Sequence, residues 1–194
     1  MYSEELLDGK VDKGIRILIG DFSIIWNLYE KYVINKFKDK IKNYKDIRNN
    51  DIFQEDIHEC MITEYRNNNF LYSSNHKEIV DNSFNMLRKY IEEKCIEYNK
   101  KFNSYTIINY FNIVVMKAKK EVYNLFDSNI EIDNWDSYSK LHLLLIVMYR
   151  VRNNMFHGTK IITKLENERE LFIICNNIML LLLGPIDHII YIIN

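Results

Sequence analysis

The sequence predicts an all-α helical bundle of about five or six helices, and three observations predict it. Only 5 glycines and 1 proline are spread over 194 residues, too few for the tight turns that a sheet protein needs. Apolar residues recur at three- and four-residue spacing in one segment after another, the period of a helix with one buried face. Hydrophobic residues make up 47% of the chain. That is ample for a core, and the length suits a single domain over 1–194. Isoleucine is abundant and replaces leucine even at helical spacing, so periodicity rather than propensity assigns the elements.

Residues 1–14 are polar and read as a loose N-terminal lead-in. From Ile15, the positions Leu18, Phe22, Ile25, Tyr29, Tyr32 or Val33, and Phe37 make an amphipathic helix to about Lys42. Gly20 within it is a bend or a later start, with Asp21 as the alternative N-cap. Lys36 to Arg48 carries six cations against Asp39 and Asp46, either a solvated helix end or a phosphate-facing patch. Asn49, Asn50 and Asp51 break the pattern. Ile52 to Tyr65 is a short helix with Phe53, Ile57, Cys60 and Met61 inward, ended by Asn67 to Asn69.

Ser73 or Ser74 caps the next helix. Its inward positions are Ile79, Phe84 or Ser83, Leu87, Tyr90, Ile91 and Cys95, and it ends near Tyr98. Ser104 caps another, with Ile107, Ile108, Phe111, Val114, Val115, Ala118, Val122 and Phe126 inward. Asp127 to Asp136 is an acidic loop. It is no calcium-binding EF-hand loop, because Ile132 stands where that loop needs glycine. Ser137 or Ser139 starts a helix through the apolar run Leu141 to Met148. Glu166 to Leu183 is the last long helix, apolar on most of its surface and so central. Gly184 and Pro185 stop it, and 186–194 is a short apolar tail.

The same composition excludes several function classes. A net charge of −1 gives no global attraction to nucleic acid, so any RNA contact must come from a local patch. Three cysteines, Cys60, Cys95 and Cys175, lie far apart and point to reduced thiols in a cytoplasmic protein. Glu4, Glu5 and Asp8 argue against a signal peptide. Leu171 to Leu183 is too short and too interrupted by Asn176 and Asn177 to span a membrane. The chain has no Gly-rich phosphate loop, GxSxG, CxxC or HExxH, so no cofactor and no metal are expected. His58-Glu59-Cys60 lacks a partner at metal spacing and reads as surface plus core, and His142 reads as a core histidine.

One stretch concentrates chemistry: YRVRNNMFHGTK, Tyr149 to Lys160. Arg150 and Arg152 are fixed cations. His157 titrates near neutrality, and Asn153 and Asn154 offer amide donors and acceptors. Gly158 suits the left-handed position after a helix that ends at His157. The negative end of that helix favours an imidazolium, and a nearby arginine opposes it. Arg152 and His157 are about 140° and about 7.5 Å apart on an ideal helix. They converge where the helix unwinds at Gly158, or across a second subunit. An arginine and a histidine without a metal cage form the smallest set that cleaves RNA through its own 2′-hydroxyl. The histidine moves a proton, and the arginine holds the phosphate as charge develops. The plain alternative is a capping histidine beside two solvated arginines.

The segment RNNMFHG, Arg152 to Gly158, resembles the Arg-x4–6-His signature of HEPN domains. The likeness covers the motif and its flanking apolar helices from Leu141 to Leu183. The N-terminal half is similar only in being helical. The resemblance implies an all-helical bundle and a metal-independent endoribonuclease, in toxin or phage-defence settings, with Arg152 and His157 as the catalytic pair. Asn153 would be the polar residue after the arginine, and Arg150 meets the looser six-residue spacing. Tyr149, Asn154 and Lys160 complete the expected RNA-contacting set. The implied partners are RNA, a second copy of the chain and an antitoxin or sensor protein, with no membrane. Family toxins modified by a nucleotidyltransferase carry a tyrosine two residues after the histidine, where this chain has Thr159. The rival expectation is a non-catalytic helical module that binds nucleic acid or nucleotide, or that only dimerises.

Overall fold

The computed structural model describes residues 12–37, 52–97, 134–156 and 168–184. These hold five α-helices and no strand: α1 (Lys13–Phe37), α2 (Ile52–Asn67), α3 (Ser74–Glu97), α4 (Ser137–Phe156) and α5 (Arg169–Leu183). A single 3₁₀ turn, Phe70–Tyr72, joins α2 to α3. The observed architecture is therefore the all-α bundle that composition and periodicity predict. The helix expected from Ser104 to Phe126, the cations beyond Phe37 and the tail 186–194 lie outside the described residues.

Asp12 starts α1. Its Oδ1 accepts hydrogen bonds from the backbone N–H of Gly14 at 2.9 Å and of Ile15 at 3.2 Å, the orphan donors of a first turn. The helix thus begins at Lys13, inside the stretch read as a loose lead-in, and runs through Gly20 without a break. Its buried residues are Ile15, Phe22, Trp26, Tyr29, Val33 and Phe37. The expected Leu18 and Ile25 are only partly buried. Three- and four-residue steps fit two stripes one residue apart, and the aromatic one faces inward. Phe22 meets Phe172 of α5 edge-on at 5.4 Å, and Trp26 meets Tyr29 at 5.6 Å.

α5 is the central helix. Leu171, Phe172, Ile174, Cys175, Ile178, Met179 and Leu181 to Leu183 are all buried, and α1, α3 and α4 all pack against it. Gly184 closes it at φ 76°, with its N–H donated to the Leu180 carbonyl at 3.1 Å. That positive φ is open to glycine because it has no Cβ. Burial holds the Cys175 thiol well above its usual range.

α4 is buried through its middle, at every residue from Leu141 to Tyr149. It starts at Ser137, as the sequence predicts, and Asp136 caps it: its Oδ1 accepts the Ser139 N–H at 2.6 Å. Asp136 also pairs with Arg66 of α2 at 3.2 Å, and Lys140 pairs with Asp81 of α3 at 2.9 Å. The Tyr138 hydroxyl donates to the Tyr65 carbonyl at 3.1 Å. Each such exposed or half-exposed ion pair contributes about 0.2–1 kcal/mol. Each fully buried Leu or Phe contributes about 1.5–3 kcal/mol. Packing therefore holds α4 in place, and the polar contacts fix where it starts.

Candidate functional site

Four residues of α4, His142, Leu145, Tyr149 and Arg152, follow each other at three, four and three positions. On a helix that makes one stripe. It runs from the buried half of α4 to its half-exposed end. Tyr149 is 1% exposed, with its ring 6.4 Å from the Trp26 indole. It is a core residue, which corrects its expected place among RNA contacts. The physical reason is depth: α4 is enclosed on all sides from Leu141 through Tyr149, and it opens only at Arg150.

One turn further on, Arg152 is half-buried. Its guanidinium carbon stands 5.6 Å from the centre of the Trp26 ring, and its Nη1 donates to Asn153 Oδ1 at 3.0 Å. α1 therefore supplies an aromatic face and α4 an amide oxygen to the same cation. A guanidinium is a planar donor that matches an anion such as a phosphodiester through two N–H groups. Arg150, Asn153 and Asn154 are also half-buried on this last turn. The structure thus brings Arg150, Arg152, Asn153 and Asn154 together at one end of α4. His157 and Lys160 lie outside the described residues.

A second polar site lies deeper. His58 of α2 and His142 of α4 are both buried, at 6% and 8% exposure. Burial, with the nearby His142 ring, pushes the His58 pKa down to about 3, so the imidazole is neutral at ordinary pH. His58 also lines a small cavity of about 30 Å³ with Trp26, Tyr29, Glu30, Ile57 and Tyr149. The reading of His58-Glu59-Cys60 as surface plus core divides accordingly: His58 is core, and Glu59 and Cys60 are half-buried. Lys36, the first of the expected basic patch, pairs with Glu64 at 3.1 Å and donates to Tyr32 at 3.0 Å. It is a tie between α1 and α2.

Trp26 is the residue that sequence reasoning missed. Its spacing to Phe22, Tyr29 and Val33 marks it for the inward stripe of α1, but nothing local announces a cation from α4. No family model matches the chain, and neither curated proteins nor solved structures give a match. No described helix is long and apolar enough to cross a membrane. Among the described residues, no three His, Cys, Asp or Glu side chains gather as a metal cage.

Proposed function

We propose that the chain is a metal-independent endoribonuclease of HEPN type, with Arg152 and His157 as its catalytic pair. The observation that supports this reading most is the setting of Arg152. It is half-buried at the end of α4, with its guanidinium carbon 5.6 Å from the centre of the Trp26 ring and its Nη1 donating to Asn153 Oδ1. The chemistry follows from the residue types. His157 takes the proton of a 2′-hydroxyl, and O2′ attacks the adjacent phosphorus. Arg152 holds the phosphate as negative charge grows. The 5′-oxygen leaves with a proton from a general acid, giving a 2′,3′-cyclic phosphate and a 5′-hydroxyl. One chain offers one such histidine, so a two-fold homodimer would supply the acid from the second copy. The resemblance to the family suggests a toxin or phage-defence role, with an antitoxin or sensor as partner.

Two measurements test this. Arg152→Ala and His157→Ala should each lower RNA cleavage at least about a hundredfold, the usual size for a lost phosphate donor or acid–base group. Helical circular dichroism and melting temperature should stay near those of the wild type. If both variants cut RNA normally, the catalytic reading fails. If they bind RNA less tightly but the wild type never cuts it, the chain is a binding module. Sedimentation should give twice the 23.5 kDa chain mass. A monomer that still cuts RNA would rule out the shared site.

A further inference from the structure

We propose that the groove between α3 and α5 binds an uncharged purine base, adenine, through the carboxamides of Asn75, Asn82 and Asn177. The Tyr90 hydroxyl donates to Glu168 at 3.0 Å. The second half of α3 therefore meets the start of α5, and its first half faces the end of α5. The groove that these halves enclose has a volume of about 540 Å³. That is the size of a small-ligand site.

The sequence sets the walls. Asn75, Ile79, Asn82 and Met86 follow each other at four, three and four positions, one stripe of α3. Asn177, Leu180 and Leu181 of α5, with Gly184 just past its end, form the facing wall. Two helical turns separate Asn75 from Asn82, about 10.5 Å along the axis, with Ile79 between them. The groove thus alternates amides with apolar side chains. Leu180 is 44% exposed, an apolar surface that the described bundle leaves uncovered. Ser83 is 1% exposed and still lines the groove. Neither its hydroxyl nor any of the three carboxamides hydrogen-bonds to another group among the described residues. His76 stands at one end, its ring centre 4.5 Å from that of Phe70 and its Nδ1 2.9 Å from the Phe70 carbonyl. A carbonyl only accepts, so Nδ1 carries the hydrogen, and in the neutral ring Nε2 is an acceptor.

This chemistry selects the ligand. Among the described residues no charged side chain lines the groove, so its walls offer no countercharge to a phosphate or a carboxylate. A carboxamide presents a donor beside an acceptor in one plane. It matches an edge that carries the same pair, as adenine does in N6–H and N7. Guanine shows two acceptors there, O6 and N7, which call for arginine or lysine. The apolar strip of Ile79, Leu180 and Leu181 suits the flat face of the ring. The groove is separate from the Arg-x4-His motif. Asp81, beside Asn82, meets Ser137 and Lys140 at the N-terminal end of α4. Arg152 lies fifteen residues further along that helix, about 22 Å away. The inference therefore goes beyond the ribonuclease reading and stands without it.

The test is calorimetric titration of the full chain with adenosine, which should bind at one site per chain. Guanosine should bind about tenfold more weakly, the scale of one mismatched bidentate pair. Adenosine monophosphate should bind no more tightly than adenosine. Asn82 and Asn177 are exposed, so replacing them leaves the core intact. Asn82→Leu and Asn177→Leu should each weaken adenosine about tenfold. Asn85→Leu, on the exposed surface of α3 outside the groove, should change nothing. A 2′-O-methyl oligoadenylate separates the two sources of the base. Competition with adenosine assigns the groove to a base within an RNA strand, and no competition assigns it to a free nucleoside. The proposal is overturned if adenosine does not bind, if guanosine binds as tightly, or if the monophosphate binds much more tightly. It is also overturned if both groove variants bind adenosine as the wild type does.

Discussion

The two ends of α4 both carry cations close to the bundle surface, yet they hold them differently. At the N-terminal end, Arg66 meets Asp136 and Lys140 meets Asp81, cation against carboxylate. Those pairs, with the Asp136 cap, fix α4 against α2 and α3. At the C-terminal end, Arg152 meets an indole face and an amide oxygen. A charge matched by a carboxylate is committed to the fold. The N-terminal cations of α4 thus tie it to neighbouring helices through carboxylates, and the Arg-x4-His motif stands at the other end.

If the first half of α4 is structural, its chemistry should show in stability and not in cleavage. The largest such effect belongs to His58, packed near His142. Its folded pKa is depressed to about 3 from 6.5. The unfolded chain therefore binds the extra proton as pH falls below 6.5. Stability is complete above that value and is lost towards pH 3, at about 1.4 kcal/mol per pH unit. Urea unfolding of His58→Gln should show a shallower acid slope than the wild type. An unchanged slope would mean that His58 is not the group responsible.

The next effect is smaller. Burial alone would raise the Asp136 pKa. The Ser139 hydroxyl and N–H, followed by Arg66 and Lys140, outweigh it and hold the carboxyl below its usual range. Its contribution is thus present above the unfolded carboxyl pKa and lost as pH falls through the folded one. Asp136→Ala removes the cap as well and should cost about 1–2 kcal/mol. Asp136→Asn keeps a capping oxygen and should cost less. Neither should change RNA cleavage. A loss of cleavage with the fold intact would erase the distinction between the two ends.

Much of this was legible in the sequence, for physical reasons that can be named. The run Leu141 to Met148 and the near-continuous apolar face of α5 leave a helix no choice but to be buried. Scarce glycine and proline leave long helices as the outcome. Starts were harder to read. At α4 the start at Ser137 was legible, but the cap one residue before it, Asp136, shows only in the approach of the Ser139 N–H and Arg66. At α1, Gly14 in the first turn hid the cap at Asp12. His58 lies four residues before Ile62 and seven before Tyr65, on the buried face of α2, but a polar side chain concealed that register. At the candidate site, the motif located Arg152 and its polar neighbours. Tyr149 was misplaced because the fully buried run of α4 extends one residue past Met148 before it opens at Arg150. Trp26 was invisible because its contact joins helices from opposite ends of the chain.

The most direct test of whether the C-terminal end of α4 is the working end is the chemistry of the RNA ends produced in EDTA. We expect the wild type to cut RNA without added metal, leaving a 2′,3′-cyclic phosphate and a 5′-hydroxyl, and Arg152→Ala to leave the RNA intact. Cutting that stops in EDTA and returns with magnesium or manganese, or that leaves a 3′-hydroxyl end, would contradict it.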